Sequence, residues 1–125
     1  MAVGLVDTNV LIDALREHGP AISWLAQQGQ LGVTRVVYLE LIEGASNRIE
    51  LQRALNFLKQ FEPVQMVEAD FEWATRQLVQ FRLSHGVGMM DCLIAAPAHR
   101  HQLPLYSRNL KHLTPLLGSL AQKPY

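Results

Sequence analysis

Three carboxylates stand where an apolar core is expected. Asp7 closes the run Ala2–Val6, Glu40 lies between Leu39 and Leu41, and Asp91 precedes the apolar stretch Cys92–Ala96. A carboxylate in such surroundings is costly to bury unless it is paired, hydrogen-bonded or metal-bound. Each has a plain reading taken singly. Asp7 and Asp91 can cap helices. Glu43 follows Glu40 by three residues on nearly the same helix face, and alone it reads as a solvated residue before Gly44. Asn9 adds a second polar side chain beside Asp7. Three acids together, each at a helix start in apolar sequence, read as hard oxygen ligands from separate elements, a donor set that suits Mg²⁺ or Mn²⁺. An ion held this way binds phosphate oxygens, acidifies its water and stabilises charge in an in-line displacement. The chemistry points to phosphate esters. Soft-metal ligation has little support: Cys92 is the only cysteine, and His99 and His101 fall on different faces of a helix.

The elements that must position these acids follow from the apolar pattern. Ala2–Val6 reads as a strand buried on both faces, since it lacks polar alternation. Asp7-Thr8 then offers capping side chains before Val10, Leu11, Ala14 and Leu15, which repeat at helical spacing. Gly19-Pro20 introduces a second helix, Ala21–Gln28. Leu31–Val36 is a second strand, followed by helical Val37–Ala45 and an amphipathic helix from Ile49 to Phe61. Pro63–Val67 is a third strand, Asp70–His85 a long helix broken by Gly86 and Gly88, and Asp91–Arg100 a helix rich in small apolar residues. Pro104–Ser107 is a fourth strand, and Leu116–Leu120 a candidate fifth. Strands alternating with helices predict an α/β fold whose mostly parallel sheet of 4–5 strands is covered on both faces. Ligands of such sheets bind beyond the carboxyl ends of the strands, where Asp7, the Val36–Gly44 segment and Ser107–His112 fall.

Composition limits the alternatives. The 125 residues suit one domain spanning 1–125, and at 49% hydrophobic and 18% charged the chain is not intrinsically disordered. A domain of this size buries roughly two-thirds of the surface its unfolded chain exposes. One cysteine excludes an intrachain disulfide and fits a reducing, cytoplasmic setting. No apolar stretch approaches the ~20 residues of a membrane span, and no targeting segment is visible. Eleven Lys and Arg balance eleven Asp and Glu, which excludes a wholly basic nucleic-acid binder. The charges are segregated, however. Residues 1–91 hold every acid and seven of the bases, and the other four bases, Arg100, Arg108, Lys111 and Lys123, lie in the acid-free remainder. An acidic pocket rimmed by bases is compatible with an RNA substrate.

Four segments, in this order, carry a resemblance. Asp7-Thr8-Asn9-Val10-Leu11-Ile12-Asp13 after a short strand resembles the opening motif of the PIN-domain ribonucleases, and among them of the VapC-like toxins of toxin–antitoxin pairs. Glu40-Leu41-Ile42-Glu43-Gly44 resembles the second motif, whose first Glu is a metal ligand. Asp91-Cys92-Leu93-Ile94-Ala95-Ala96 resembles the third, and Leu105-Tyr106-Ser107-Arg108-Asn109-Leu110 the fourth. The match covers essentially the whole chain. It implies a three-layer α/β/α PIN-like domain and metal-dependent hydrolysis of RNA. Asp7, Glu40 and Asp91 are then the ligands of Mg²⁺ or Mn²⁺, and Glu43 is peripheral. Asn9 orients Asp7, and Asn109 and Ser107 position water or phosphate. Arg82, Arg100, Arg108 and Lys111 are candidates for contacting the RNA backbone. The resemblance further implies a homodimer and a cognate antitoxin as protein partners.

The sequence departs from that family in two places. The fourth motif often supplies another acid, but here no Asp or Glu follows Asp91, which suits a single Mg²⁺ that keeps its waters. Pro97 lies inside the third-motif helix, where a proline removes one backbone hydrogen bond and can kink the helix or cost ~3 kcal/mol. The rival readings are a catalytically silent PIN-like domain that only binds a partner, a haloacid-dehalogenase-like phosphatase and a phosphoacceptor receiver module. The phosphatase needs an Asp where Asn9 stands and further acids after Asp91. The receiver needs paired acids after the first strand.

Overall fold

The computed structural model describes residues 1–125. The chain runs β1 (Gly4–Val6), α1 (Thr8–Leu15), α2 (Gly19–Ala26), β2 (Leu31–Thr34), α3 (Arg35–Glu43), α4 (Arg48–Leu58), β3 (Glu62–Val64), α5 (Glu68–His85), α6 (Met89–His101), β4 (Leu105–Tyr106), α7 (Leu110–Leu117) and β5 (Ala121–Gln122), with a 3-10 turn at Gly118–Leu120. The five strands form one parallel sheet in the order β3-β2-β1-β4-β5.

β1 and β2 are buried at every position, as strands covered on both faces must be. β3 and β5 close the two edges and are only partly buried. Pro63 is tolerated in β3 because an edge strand can spare one N–H. The strand order moves outward from β1 to β2 to β3, then crosses to β4 and β5 on the other side. With right-handed crossovers this reversal sends α1–α4 to one face and α5–α7 to the other. The packing agrees: α1 touches α2 and α3, and α3 touches α4, whereas α6 lies along α5 and α7. This is the expected three-layer α/β/α architecture. The reversal also opens a crevice between the carboxyl ends of β1 and β4, the point where open α/β sheets bind ligands.

Several boundaries differ from those read in the sequence. The expected fifth strand at Leu116–Leu120 is the end of α7 and the 3-10 turn, and the strand follows at Ala121–Gln122. Leu113, Leu116 and Leu117 form the buried stripe of α7 at helical spacing, with Pro115 inside the helix rather than at its edge. β2 ends at Thr34, not Val36, because the Thr34 hydroxyl accepts from Val37 N at 3.4 Å and caps α3. α6 continues through the buried Pro97 from Met89 to His101.

Gly32 shows how closely the central strands are packed. A Cβ built there meets Val64 Cγ2 at 2.8 Å and Leu5 Cδ2 at 2.9 Å. Leu5 is fully buried and cannot swing away, and Val64 on the edge strand is only partly buried. Gly32→Ala is therefore expected to destabilise the fold by about 1–3 kcal/mol, the usual cost of overpacking, as measured by denaturant unfolding.

Candidate functional site

Asp7 follows β1 and is only 7% exposed. Its Oδ1 accepts from Thr8 N at 2.7 Å, and its Oδ2 accepts from Ser107 Oγ at 2.7 Å and Asn9 Nδ2 at 3.3 Å. Capping is thus part of its role, through one oxygen only. Burial pushes its carboxyl above the ordinary range, the Ser107 and Thr8 bonds oppose that rise, and the charges of Glu40 and Asp91 reinforce it. These two acids are therefore close enough to Asp7 to repel it, and no basic side chain touches it.

Glu40 projects from α3 and is half-buried, whereas Glu43 is exposed. Glu40 Oε1 accepts from Thr8 Oγ1 at 2.7 Å. Thr8, the residue after Asp7, thereby links the first acid to the second. Asp91 is not the N-cap of α6. Gly88 holds that position, and Asp91 Oδ2 reaches back to accept from Gly88 N at 2.8 Å. Its Oδ1 accepts from Asn109 Nδ2 at 3.2 Å, and His112 Nδ1 lies 3.3 Å from Oδ2.

Ser107, fully buried after β4, is the hub of the cluster. Its hydroxyl donates to Asp7 and accepts from Asn9 Nδ2 at 3.1 Å and from Asn109 N at 2.9 Å. One continuous network thus runs from Glu40 through Thr8, Asp7, Ser107 and Asn109 to Asp91. Its members come from α1, α3, α6 and the segment after β4, elements gathered by the β1–β4 crevice. No three of the acids, histidines and cysteine are drawn together tightly enough to grip a bare ion. Cys92 is buried, which raises its thiol above the ordinary range and keeps it out of ligation.

The structure gathers Asp7, Asn9, Glu40, Asp91, Ser107 and Asn109, and it disperses the four basic candidates. Arg82 donates to the carbonyls of Gly86 and Val87 at the end of α5. Arg100 lies near the opposite end of α6 from Asp91 and is engaged by the buried Asp70, with Nε at 2.9 Å. Arg108 pairs with Asp13 at 3.2 Å. Lys111 is exposed on the first turn of α7. Thr8 entered the sequence reading only as a capping residue, and His112 only as the end of the segment Ser107–His112. Thr8 stands beside Asp7 and could have been found by its place in the first motif. His112 lies three residues past Asn109 on a helix that the sequence reading did not draw. A hollow of about 350 Å³ beside β3, between Met1, Glu62–Gln65, Val67, Arg100, His101 and Leu103, is lined by none of the network residues.

The PIN domain family matches residues 4–112, which include every member of this network. No curated protein sequence matches the chain. Among solved structures, a toxin–antitoxin complex from Klebsiella pneumoniae is similar at 27% identity and TM-score 0.80, covering 98% of both chains. FitAcB from Neisseria gonorrhoeae is similar at 20% identity and TM-score 0.73, over 89% of this chain and 91% of that one. VapBC-1 from nontypeable Haemophilus influenzae is similar at 23% identity and TM-score 0.70, over 90% of each chain. The latter two likenesses speak for the fold.

Proposed function

The chain belongs to the PIN domain family, a family of nucleases, and on that premise we propose that it is a divalent-metal-dependent ribonuclease and the toxin of a toxin–antitoxin pair. The observation that carries this reading is the buried Asp7, facing two further acids with no cation beside it. Such a cluster is unfavourable by itself and favourable around a divalent ion. Asp7, Glu40 and Asp91 hold Mg²⁺ or Mn²⁺ in this reading. Mg²⁺ keeps several waters and takes one or two carboxylates directly, so acids set too wide for a bare ion suit a hydrated one. When bound, the ion supplies an acidified water and charge neutralisation at the phosphodiester.

The chain's own residues do the rest. Thr8 holds one oxygen of Glu40, whereas both oxygens of Asp7 and of Asp91 are held, by Thr8 N and Ser107 and by Asn109 and Gly88 N, so that the three carboxylates are fixed in orientation. Asn9 holds both Asp7 and Ser107. Exposed Lys111, on the rim beside Asn109, is the one basic candidate left free for the RNA backbone.

The same reading takes two protein partners, a second copy of the chain and a cognate antitoxin. The Klebsiella likeness, a toxin–antitoxin complex, supports the antitoxin. Exposed Phe71, Val79 and Leu83 on α5, with Met89 and Met90 at the start of α6, support a protein-covered face. No helix is long and apolar enough to cross a membrane, and the reading assigns the protein to the cytoplasm.

Induced expression tests it. The wild-type chain is expected to arrest growth and cleave cellular RNA, and Asp91→Asn is expected to do neither while remaining folded. Equal toxicity of the two proteins, or none from a folded wild type, contradicts the proposal.

A further inference from the structure

The turn Ser107–Asn109 carries two of the groups that hold the acids, and its internal bond runs from Asn109 N to Ser107 Oγ at 2.9 Å. Asn109 is the N-cap residue of α7 and makes no side-chain cap bond, and its Nδ2 donates to Asp91. The turn is fastened from outside. Ser107 N donates to Gln122 O at 3.0 Å across the β4–β5 edge, and Arg108 N donates to Asn9 Oδ1 at 3.1 Å. The Arg108 side chain points away from the acids. Its Nη1 donates to Asp13 Oδ2 at 3.2 Å, and its guanidinium lies 5.2 Å from the centre of the Tyr125 ring. Tyr125 Oη donates to that same Asp13 oxygen at 2.6 Å. The Tyr125 ring in turn rests near Trp24 and His18 of α2 and its N-cap, at centroid distances of 6.4 and 5.7 Å.

We infer that Tyr125 and Asp13 are positioning residues, which grip Arg108 and thereby hold Ser107 and Asn109 in register with Asp7 and Asp91. Arg108 is then a strut rather than an RNA contact. A charge-assisted bond from a phenol to a carboxylate that also pairs with a guanidinium is among the stronger polar contacts near a surface. The titration of the pair agrees with the geometry. The Tyr125 bond, ahead of Arg108, holds the Asp13 carboxyl below its usual range. Burial first, and then Asp13, pushes the Tyr125 phenol up to about 12. The catalytic consequence rests on the nuclease reading, whereas the mechanical one does not.

The test compares wild type with Tyr125→Phe, which deletes one hydroxyl, with Asp13→Asn, and with the double variant. In the metal-free protein, amide exchange at Ser107 and Asn109 is expected to rise about tenfold, the scale of one charge-assisted bond, with the Asn109 side-chain amide shifted. With Mn²⁺ alone, the dissociation constant is expected to rise several-fold, less than the roughly 10–100-fold of a residue touching a ligand directly. In RNA cleavage, kcat is expected to fall while KM holds, with the double variant no worse than either single one. A raised phenol pKa contributes stability below the ordinary value of 10.0 and loses it as pH rises toward about 12. The difference in Tm between wild type and Tyr125→Phe is therefore expected to be constant from above the carboxylate range up to pH 10, to vanish between there and about 12, and to shrink again at low pH as Asp13 is protonated. Unchanged exchange at Ser107 and Asn109 in folded Tyr125→Phe overturns the inference. If wild type binds no Mn²⁺ and cuts no RNA, the nuclease reading fails, and the exchange data still decide the strut.

Discussion

Asp7→Asn is expected to abolish RNA cleavage while raising the melting temperature of the metal-free protein. The two effects have one cause. Asp7 is buried, and its ionised form is opposed first by that burial and then by the charges of Glu40 and Asp91. A carboxyl whose folded pKa is raised contributes stability below its unfolded pKa and loses it as pH rises through the folded one. At neutral pH the metal-free wild type therefore carries a penalty that Asn removes. Asn keeps an oxygen for Thr8 N, while its amide nitrogen replaces the oxygen that accepts from Ser107 Oγ and Asn9 Nδ2, a loss that offsets part of the gain. The gain in Tm should shrink as the pH falls through the carboxylate range. Activity moves the other way, because a ligand's charge is lost. A metal supplies several kcal/mol of transition-state stabilisation, and each 1.36 kcal/mol is tenfold in rate, so a loss of at least about 10²-fold in kcat is expected. Added Mn²⁺ should reverse the stability order. An ion at a hundred times its dissociation constant stabilises by about 2.7 kcal/mol, and only wild type should benefit fully. Thermal melts with and without Mn²⁺, beside a cleavage assay, measure all three effects.

Arg100→Ala is expected to produce the largest loss of stability. Asp70 is 1% exposed and lies on the first turn of α5. Arg100 gives it two bonds, from Nε at 2.9 Å and Nη2 at 3.1 Å, and Nη2 also donates to Gln65 O at 2.9 Å. One cation thus ties α6 to α5 and to the segment after β3. Val67 N supplies the remaining donor to Asp70. Removing one partner of a buried pair leaves an uncompensated charge and costs about 3–5 kcal/mol. The Arg100 side chain is 30% exposed, so water softens the loss and the lower end, about 3 kcal/mol, is expected. The double change Asp70→Leu with Arg100→Met should recover much of it, since a well-packed apolar pair often matches a buried ion pair. Residual RNA cleavage by folded Arg100→Ala should equal that of wild type. A selective loss of cleavage would restore Arg100 to the list of RNA contacts.

The sheet was legible in the sequence because β1 and the Leu31–Val33 part of β2 show no polar alternation, a pattern that two-sided burial favours. The acids were legible for the complementary reason, since charge in an apolar run demands an explanation. The end of the chain was harder to read. Leu113, Leu116 and Leu117 fit a helix and Leu116–Leu120 fits a short strand equally well, and a proline such as Pro115 ordinarily marks a boundary between elements. Missing α7 concealed that His112 faces Asp91. Cations are the least legible group, because a surface Arg looks alike whether it meets RNA, a carbonyl or a carboxylate. Only the tertiary fold shows that Arg100 is held by Asp70 and Arg108 by Asp13. Asp70, read as the start of a helix, gave no sequence sign of its partner thirty residues away.

The central claim is that the three acids serve a metal-dependent cut in RNA. Purified protein incubated with structured RNA tests it most directly, with Mg²⁺ or Mn²⁺ present and again after chelation. Cleavage that requires the ion, stops on chelation, returns on adding back Mn²⁺ and is absent in Asp7→Asn is the predicted result. Cleavage that persists in chelator, or a folded wild type that binds Mn²⁺ no better than Asp7→Asn and leaves RNA intact, contradicts it.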